Sequence, residues 1–300
     1  MDQLEAISTF VAVADEGGFS AASRRLRVPL ATISRRVSDL EGELGAQLLT
    51  RTTRKVVLTE IGAQYLSTCR RVLEELDEAK RLAAGEYRAP RGELVVSAPT
   101  GLGNIHLMPI LTEFLAAYPD IDIDLRLSDH IVSLVDEHID VALRIGHLED
   151  SGLIAAKIGA VRHVVCASPD YLGEFGEPAD LNEMADHVCV TFTAFGTSRE
   201  WIFRNKDRIV RLPVKSRLAA TTAEAAVHAA ISGIGITRLL CYQVAQAIGE
   251  GRLRLVLRQN EPDPLPVSFI YPSGRLVAQK LKAFLEFVIP RLKARLVFDH

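Results

Sequence analysis

Two pairs of helix breakers, Gly17-Gly18 and Val28-Pro29, cut the first 45 residues into segments too short for anything but a cluster of small helices. Before the first pair, Leu4, Ile7, Phe10, Val11, Val13 and Ala14 recur at helical spacing. Between the pairs, Ser20 is suited to cap a short helix from Ala21 to about Arg27, with Ala22 and Leu26 four apart on one face. After Pro29 a third helix is expected from about Ala31 to Leu44, burying Ile33, Val37, Leu40 and Leu44. Thr32, Ser34, Arg35, Arg36 and Asp39 then face outward. Two short helices joined by a tight turn make a helix-turn-helix, whose second helix offers its first turns to base edges in the major groove. The plainer alternative is a solvated charged face on an ordinary helical pair.

Charge favours the first reading. The 300-residue chain carries a net charge of -3, which by itself argues against a polyanionic partner. Yet the 39 residues from Ser20 to Leu58 hold eight Arg and Lys against three Asp and Glu, a local +5. Phosphate binding needs such a footprint only where contact is made. Part of it falls in "QLLTRTTRKVVLT", Gln47 to Thr59, where β-rich residues flank Thr52-Thr53 and predict a hairpin with Arg51, Arg54 and Lys55 near its tip. Such a tip can lie along phosphates or enter the minor groove as a wing.

Thr59 can cap a long helix of about 25 residues, striped by Ile61, Tyr65, Leu66, Cys69, Val72, Leu73, Leu76, Ala79, Leu82 and Ala83. A long amphipathic helix between two folded units has few neighbours in its own chain, so pairing with a second copy would bury its stripe. Tyr87 to Gly92 reads as a linker. "ELVVSA" then predicts a strand, Asn104 to Tyr118 a helix, and the alternating "IDIDLRL" at Ile121 to Leu127 a strand with one wet face. Strand and helix patterns go on alternating, as in α/β domains with largely parallel sheets.

These segments resemble LysR-type transcriptional regulators. The likeness is carried by "LEAISTFVAVADEGGFSAASRRL" and "ATISRRVSDLEGELGAQLLTRTTRKVVLTEIGAQYL". It continues through "GELVVSAPTGLGNIHLMPILTEFLAAYPDIDIDL", "DVALRIG" and "ISGIGITRLLCYQVAQAIGEGRL". The resemblance implies a winged helix-turn-helix at 1–58, a linker and dimerisation helix with hinge at 59–90, and an effector-binding domain at 91–300. That domain would fold as two α/β lobes, like a periplasmic solute-binding protein. Lobe I would span about 91–163 and 267–300, lobe II about 164–266, with crossings near Arg162 to Ala167 and Leu265 to Ser268.

Position by position, the resemblance makes Ser20, Ala31, Thr32, Ser34, Arg35 and Arg36 the helix contacts to double-stranded DNA, and Arg51, Thr53, Arg54 and Lys55 the wing contacts. One departure is Pro29-Leu30 where many members have Ser or Thr, so a capping oxygen worth about 1 kcal/mol is missing. Proline can instead stand at the first helical position. The resemblance further implies a small-molecule effector between the lobes, lined by Ala98, Thr100, Gly101, Ser128, His147, Thr193, Phe195, Thr221 and Thr222. Strand ends and helix N-termini there offer N–H groups to an anion. It also implies a homodimer through the linker helix, assembly to a homotetramer, and contact with RNA polymerase.

Other chemistry is thin. "GIGI" at Gly233 to Ile236 lacks the third glycine of a dinucleotide fingerprint, has Arg238 where it should fall, and reads better as a helix ending before a strand. The eight histidines and four cysteines form no H-E-x-x-H or C-x-x-C pattern, no G-x-S-x-G occurs, and neither enzyme, metal nor cofactor is expected. Trp201 reads as packed core, and Cys69, Cys166, Cys189 and Cys241 as buried thiols. The acidic start, Asp2 and Glu5, and the absence of a long apolar run predict a cytoplasmic protein without membrane contact. Two rivals follow: a solute-binding protein with no DNA function, and a thiol redox sensor acting through Cys166 and Cys189.

Overall fold

A computed structural model describes residues 2–51, 56–83, 89–130, 133–134, 136–148, 152–193, 200–273 and 279–296. The chain forms two compact units, Met1–Ala89 and Pro90–His300. In the first, α1 (Gln3–Asp15), α2 (Phe19–Leu26) and α3 (Leu30–Leu44) precede a hairpin of β1 (Leu49–Arg51) and β2 (Val56–Leu58), and α4 (Glu60–Ala83) follows. Phe10, Val13, Ala22, Ile33, Val37, Leu40, Leu48, Leu66 and Cys69 build its core. Leu44, expected inside, is 40% exposed because it lies in the last turn of α3.

Two caps differ from expectation. Gly18 stands at the N-cap of α2 without a side-chain bond, so Ser20 lies inside the first turn, exposed. Gly18 is extended there, and the helix starts two residues early. Pro29 is itself the N-cap of α3, and its carbonyl accepts the amides of Thr32 (2.9 Å) and Ile33 (3.1 Å). Between these helices Arg27 adopts a left-handed φ of 55°, and the Ser23 hydroxyl closes the turn on the Val28 carbonyl at 2.6 Å.

The hairpin is locked to both flanking helices. Glu41 Oε1, from α3, accepts the amides of Leu48 (2.8 Å) and Leu49 (3.0 Å). The Thr59 amide donates to the Leu48 carbonyl at 3.0 Å, while the Thr59 hydroxyl accepts the Gly62 amide at 2.9 Å and caps α4 as expected. The helix therefore passes close over β1. A Cβ on Gly62 would stand 1.9 Å from the Leu48 carbonyl oxygen, an approach no other residue permits.

The second unit holds two five-stranded sheets. Its elements are β3 (Gly92–Ala98), α5 (Thr100–Leu102), a π-helical turn at Gly103–Leu107, α6 (Met108–Ala117), β4 (Ile121–Leu127), β5 (Val141–Ile145), β6 (Leu153–Val161) and β7 (His163–Ala167). Next come α7 (Pro169–Phe175), β8 (Cys189–Phe192), β9 (Glu200–Asn205), β10 (Arg208–Pro213), β11 (Ser216–Ala220) and α8 (Ala223–Ile231). Last are β12 (Ile236–Leu240), α9 (Cys241–Gly249), β13 (Arg254–Val256), β14 (Leu265–Pro272) and α10 (Gln279–Arg295). Lobe I is ordered β4-β3-β5-β14-β6 and lobe II β11-β8-β12-β7-β13, with β9 and β10 a separate hairpin. Strands β4, β3 and β5 are parallel, as are β11, β8 and β12, while the strands after each crossing run antiparallel.

The chain leaves lobe I at Arg162, between β6 and β7, and returns before Leu265, which already pairs with Val161. Leu265 to Ser268, expected as the second crossing, thus belong to the lobe I sheet. The helix expected at Asn104 to Tyr118 begins earlier, at Thr100, with its π turn inserted. Glycines hide this start from helical propensity, and packing explains them: a Cβ on Gly103 would lie 2.3 Å from a Leu127 methyl. Trp201 is 5% exposed in lobe II's core, as expected, and α8 does end before β12 near the "GIGI" stretch.

Gly62→Ala should destabilise the first unit by about 1–3 kcal/mol through overpacking against backbone. Thermal unfolding should show the loss, while Gly42→Ala, where a Cβ meets nothing within 4 Å, should leave the midpoint unchanged or raise it.

Candidate functional site

The first unit presents α3 over its core. Ile33, Val37 and Leu40 hold the buried face, which leaves Ala31, Arg35 and Ser38 on one exposed line at spacings of four and three. Thr32 and Ser34 are half-buried at its border. Ser38 was missed in the sequence because a lone serine carries no signal until the exposed face is known.

Two of the arginines that make up the local charge are engaged within the unit. Arg36 pairs with Glu5 of α1, and Arg25 donates to Glu16 at 3.2 Å with Asp15 at 3.6 Å. Exposed pairs of this kind contribute about 0–1 kcal/mol, so a phosphate can displace them. Arg24, Arg27 and Arg35 are exposed. Arg51 ends β1 opposite Val56, which places a hairpin after α3 as expected. Thr53, Arg54, Lys55 and the Arg51 side chain lie outside the described residues.

In the second unit, the carboxyl ends of both sets of parallel strands abut the crossings, and therefore each other. In lobe I, Ile145 pairs with Val267 and the Gly146 amide donates to the Pro266 carbonyl at 2.8 Å. In lobe II, Leu240 pairs with His163, and the Cys241 amide donates to the Arg162 carbonyl at 2.8 Å. This strand-end crevice is where open α/β sheets bind ligands. Arg162 is held there by an ion pair with Glu261.

On the lobe I edge stand Ala98, Thr100, Gly101, Ser128 and His147. Ala98 is fully buried and contributes only its carbonyl, which accepts the Ser128 amide at 3.0 Å. The Thr100 amide, at a position expected to line the crevice, already donates to Asp129 Oδ1 at 3.0 Å. Asp129 was missed in the sequence, and it places a negative charge at the helix start instead of leaving a vacancy for one. Ser128 Oγ accepts the His130 amide at 3.1 Å, and His147 is exposed.

On the lobe II edge stand Thr193, Thr221 and Thr222; Phe195 lies outside the described residues. Both the amide and hydroxyl of Thr193 donate to the Ala220 carbonyl, at 2.9 and 3.2 Å. Thr222 Oγ1 caps α8 by accepting the Ala225 amide at 3.3 Å, and Thr221 is exposed. Caps and turns thus occupy much of the hydroxyl chemistry expected for ligand.

One flank of the crevice is closed. A Cβ on Gly101 would meet Gln243 Nε2 and the Tyr242 ring at 3.4 Å, and His106 meets Tyr242 edge-on at 5.7 Å between centroids. Burial, then the Asp129 carboxylate, pushes the Tyr242 phenol up. Burial, then Arg238, pushes His163 down to about 3. Burial also drives the Cys166 and Cys189 thiols up to about 12, which keeps them protonated and works against the thiol-sensor rival.

The two units match known proteins. Residues 4–63 match the bacterial regulatory helix-turn-helix protein, lysR family, and residues 88–293 the LysR substrate binding domain. The chain belongs to the LysR family of transcriptional regulators, with a helix-turn-helix domain and a substrate-binding domain. It is 34% identical over 289 residues to the HTH-type transcriptional regulator CrgA of Neisseria meningitidis, covering 96% of each chain. An HTH-type transcriptional regulator of Xanthomonas campestris is also 34% identical, over 94% of this chain and 83% of that one. The solved structure of CrgA superposes with a TM-score of 0.62, covering 96% of this chain and 98% of that one. The full-length Vibrio cholerae virulence activator AphB gives 0.61 at 30% identity, with the same coverage. These relatives are named as transcriptional regulators, and no helix among the described residues is long and apolar enough to cross a membrane.

His163 has a depressed pKa, so its stabilising contribution is complete above its unfolded value near 6.5 and is lost as pH falls toward about 3. Denaturant midpoints measured from pH 7 to pH 4 should fall more steeply for wild type than for His163→Gln, with a difference of up to about one proton in slope.

Proposed function

We propose that the protein is a sequence-specific, effector-modulated regulator that reads double-stranded DNA with α3 and its hairpin. The exposed line of Ala31, Arg35 and Ser38 over a rigid core carries this reading, because arginine's fork matches the paired acceptors of guanine in the major groove. Thr32, Ser34, Arg36 and Ser20 extend the contact, and Arg51, Thr53, Arg54 and Lys55 meet phosphates or the minor groove as a wing.

The second face of α4 supports a homodimer. Gly62, Leu66 and Cys69 dock on the unit's own core, with Tyr65 at its border 5.9 Å from the Phe10 ring, while Ile61, Thr68 and Val72 follow a seam at spacings of seven and four. Ile61 is 56% and Val72 39% exposed, so the seam suits a second copy. Two reading heads then meet a near-palindromic site, and two dimers form a tetramer that bends the DNA between sites and contacts RNA polymerase in the cytoplasm.

The effector sits in the strand-end crevice, against Thr100, Gly101, Ser128, His147, Thr221 and their neighbours Ala98, Thr193, Phe195 and Thr222. It acts by binding one arrangement of lobes or subunits better than another, since equal affinity for both would shift nothing.

Fluorescence anisotropy on the duplex upstream of the protein's own gene and on a scrambled duplex, over a salt series, tests the division of roles. Arg35→Ala should lose about 1–3 kcal/mol on the specific duplex and relax preference. Lys55→Ala should weaken both duplexes alike and reduce the salt slope by about one unit. Equal losses on both duplexes from Arg35→Ala would refute base reading, and absence of binding to any duplex would favour a solute-binding role.

A further inference from the structure

Arg238 occupies the middle of β12, the central strand of lobe II, a position where charge is rare. Thr237 and Leu239 face one side of the sheet and are fully buried, while Ile236, Arg238 and Leu240 face the other. Arg238 is opposite Val165 and Leu240 opposite His163 in the register with β7, so the imidazole is the diagonal neighbour of the guanidinium on one face. On the other flank β12 runs parallel to β8, with Ile236 beside Cys189 and Thr237 beside Val190, which brings Thr191 next to Arg238. The Thr191 hydroxyl meets the Ser216 hydroxyl at 2.8 Å. A cation, an imidazole and a hydroxyl therefore share the sheet face within two residues of its carboxyl edge, beside the Arg162 crossing.

No described carboxylate balances this charge. Arg162, Arg204 and Arg254 in the same region pair with Glu261, Asp263 and Glu177. Arg238 forms no ion pair among the described residues; its Nε is buried without a hydrogen-bond partner, and burial alone pushes its pKa down to about 10. A guanidinium taken out of water without a counterion destabilises the fold that holds it, so its place at a ligand-binding edge points to a partner that arrives from outside. His163 is kept neutral and can donate one N–H without adding repulsion between cations.

We propose that Arg238, flanked by His163 and Thr191, is the anion anchor of the effector crevice, and that the effector carries a carboxylate. This rests on the effector-modulated reading above. A planar carboxylate fits a single guanidinium fork, whereas a dianionic phosphate calls for more donors than remain. Asp129 takes the Thr100 amide and Thr222 caps α8, so neither helix start competes for the anion.

The test uses full-length protein: thermal unfolding of wild type, Arg238→Met, Arg238→Lys and the exposed control Arg217→Met, with acetate, benzoate, succinate or inorganic phosphate at constant ionic strength, and with acetamide and benzamide as uncharged counterparts. Without organic anion, Arg238→Met should unfold at or above the wild-type temperature, because the unbalanced charge is gone. At least one carboxylate should raise the wild-type and Arg217→Met midpoints saturably, the amides should not, and Arg238→Met should not respond; Arg238→Lys should respond more weakly than wild type. A large drop in midpoint for Arg238→Met without anion would make Arg238 a structural residue and overturn the proposal. So would an unchanged carboxylate response in that variant, no carboxylate response in wild type, or a phosphate response equal to the carboxylates'. DNA anisotropy on the same samples separates the readings: binding to the specific duplex with no anion response defeats the anchor alone, and loss of specific binding in wild type defeats the regulator.

Discussion

The carbonyl of Leu48 is the point on which the first unit turns. It accepts the Thr59 amide and lies against the first turn of α4 so closely that only glycine fits at position 62. One residue away, Glu41 grips the amides that start β1. Helix α3, the hairpin and α4 are thus tied through a few buried backbone groups. These bonds hold α3, the hairpin and the start of α4 together as one body.

The second unit depends on a different constraint, the switch from parallel to antiparallel pairing where the chain crosses between its sheets. Each lobe keeps its parallel strands pointing at the crossings and completes its sheet with antiparallel strands, so the central strands are flanked on both sides while strand ends face the crevice. Charge is distributed there with economy. Asp129 supplies the negative group at the lobe I helix start, Glu261 answers Arg162 at the crossing, and Arg238 in the central strand of lobe II has no ion pair among the described residues.

Much of this was legible before any coordinates. Periodicity located α1 to α4, the hairpin and the α/β succession, because each depends on apolar residues repeating at 3.6 or 2. Local chemistry misled where tertiary packing overrode it. Ser20 is a better cap than Gly18 by propensity, yet the chain enters α2 through an extended glycine. Thr100 begins a helix that its own glycines disguise, since those glycines answer to Tyr242, Gln243 and Leu127 across space. The amide of Thr100, an expected lining residue, is spent on Asp129, a partner 29 positions away that no spacing rule connects to it.

By itself the sequence determined the class of protein, because a helix-turn-helix with a local basic footprint and a long striped helix ahead of an α/β pattern are properties of residue order. It also determined which residues are candidates for contact, since outward positions follow from the buried ones. Only the tertiary structure decided which candidates keep their donors and charges for an outside partner. Arg36 is drawn into a pair with Glu5, Thr193 and Thr222 into caps and carbonyl bonds, and Arg238 is stranded without one. The reason is physical: a polar group's availability depends on every group within hydrogen-bond reach, and in a folded chain those neighbours come from positions that sequence order does not bring together.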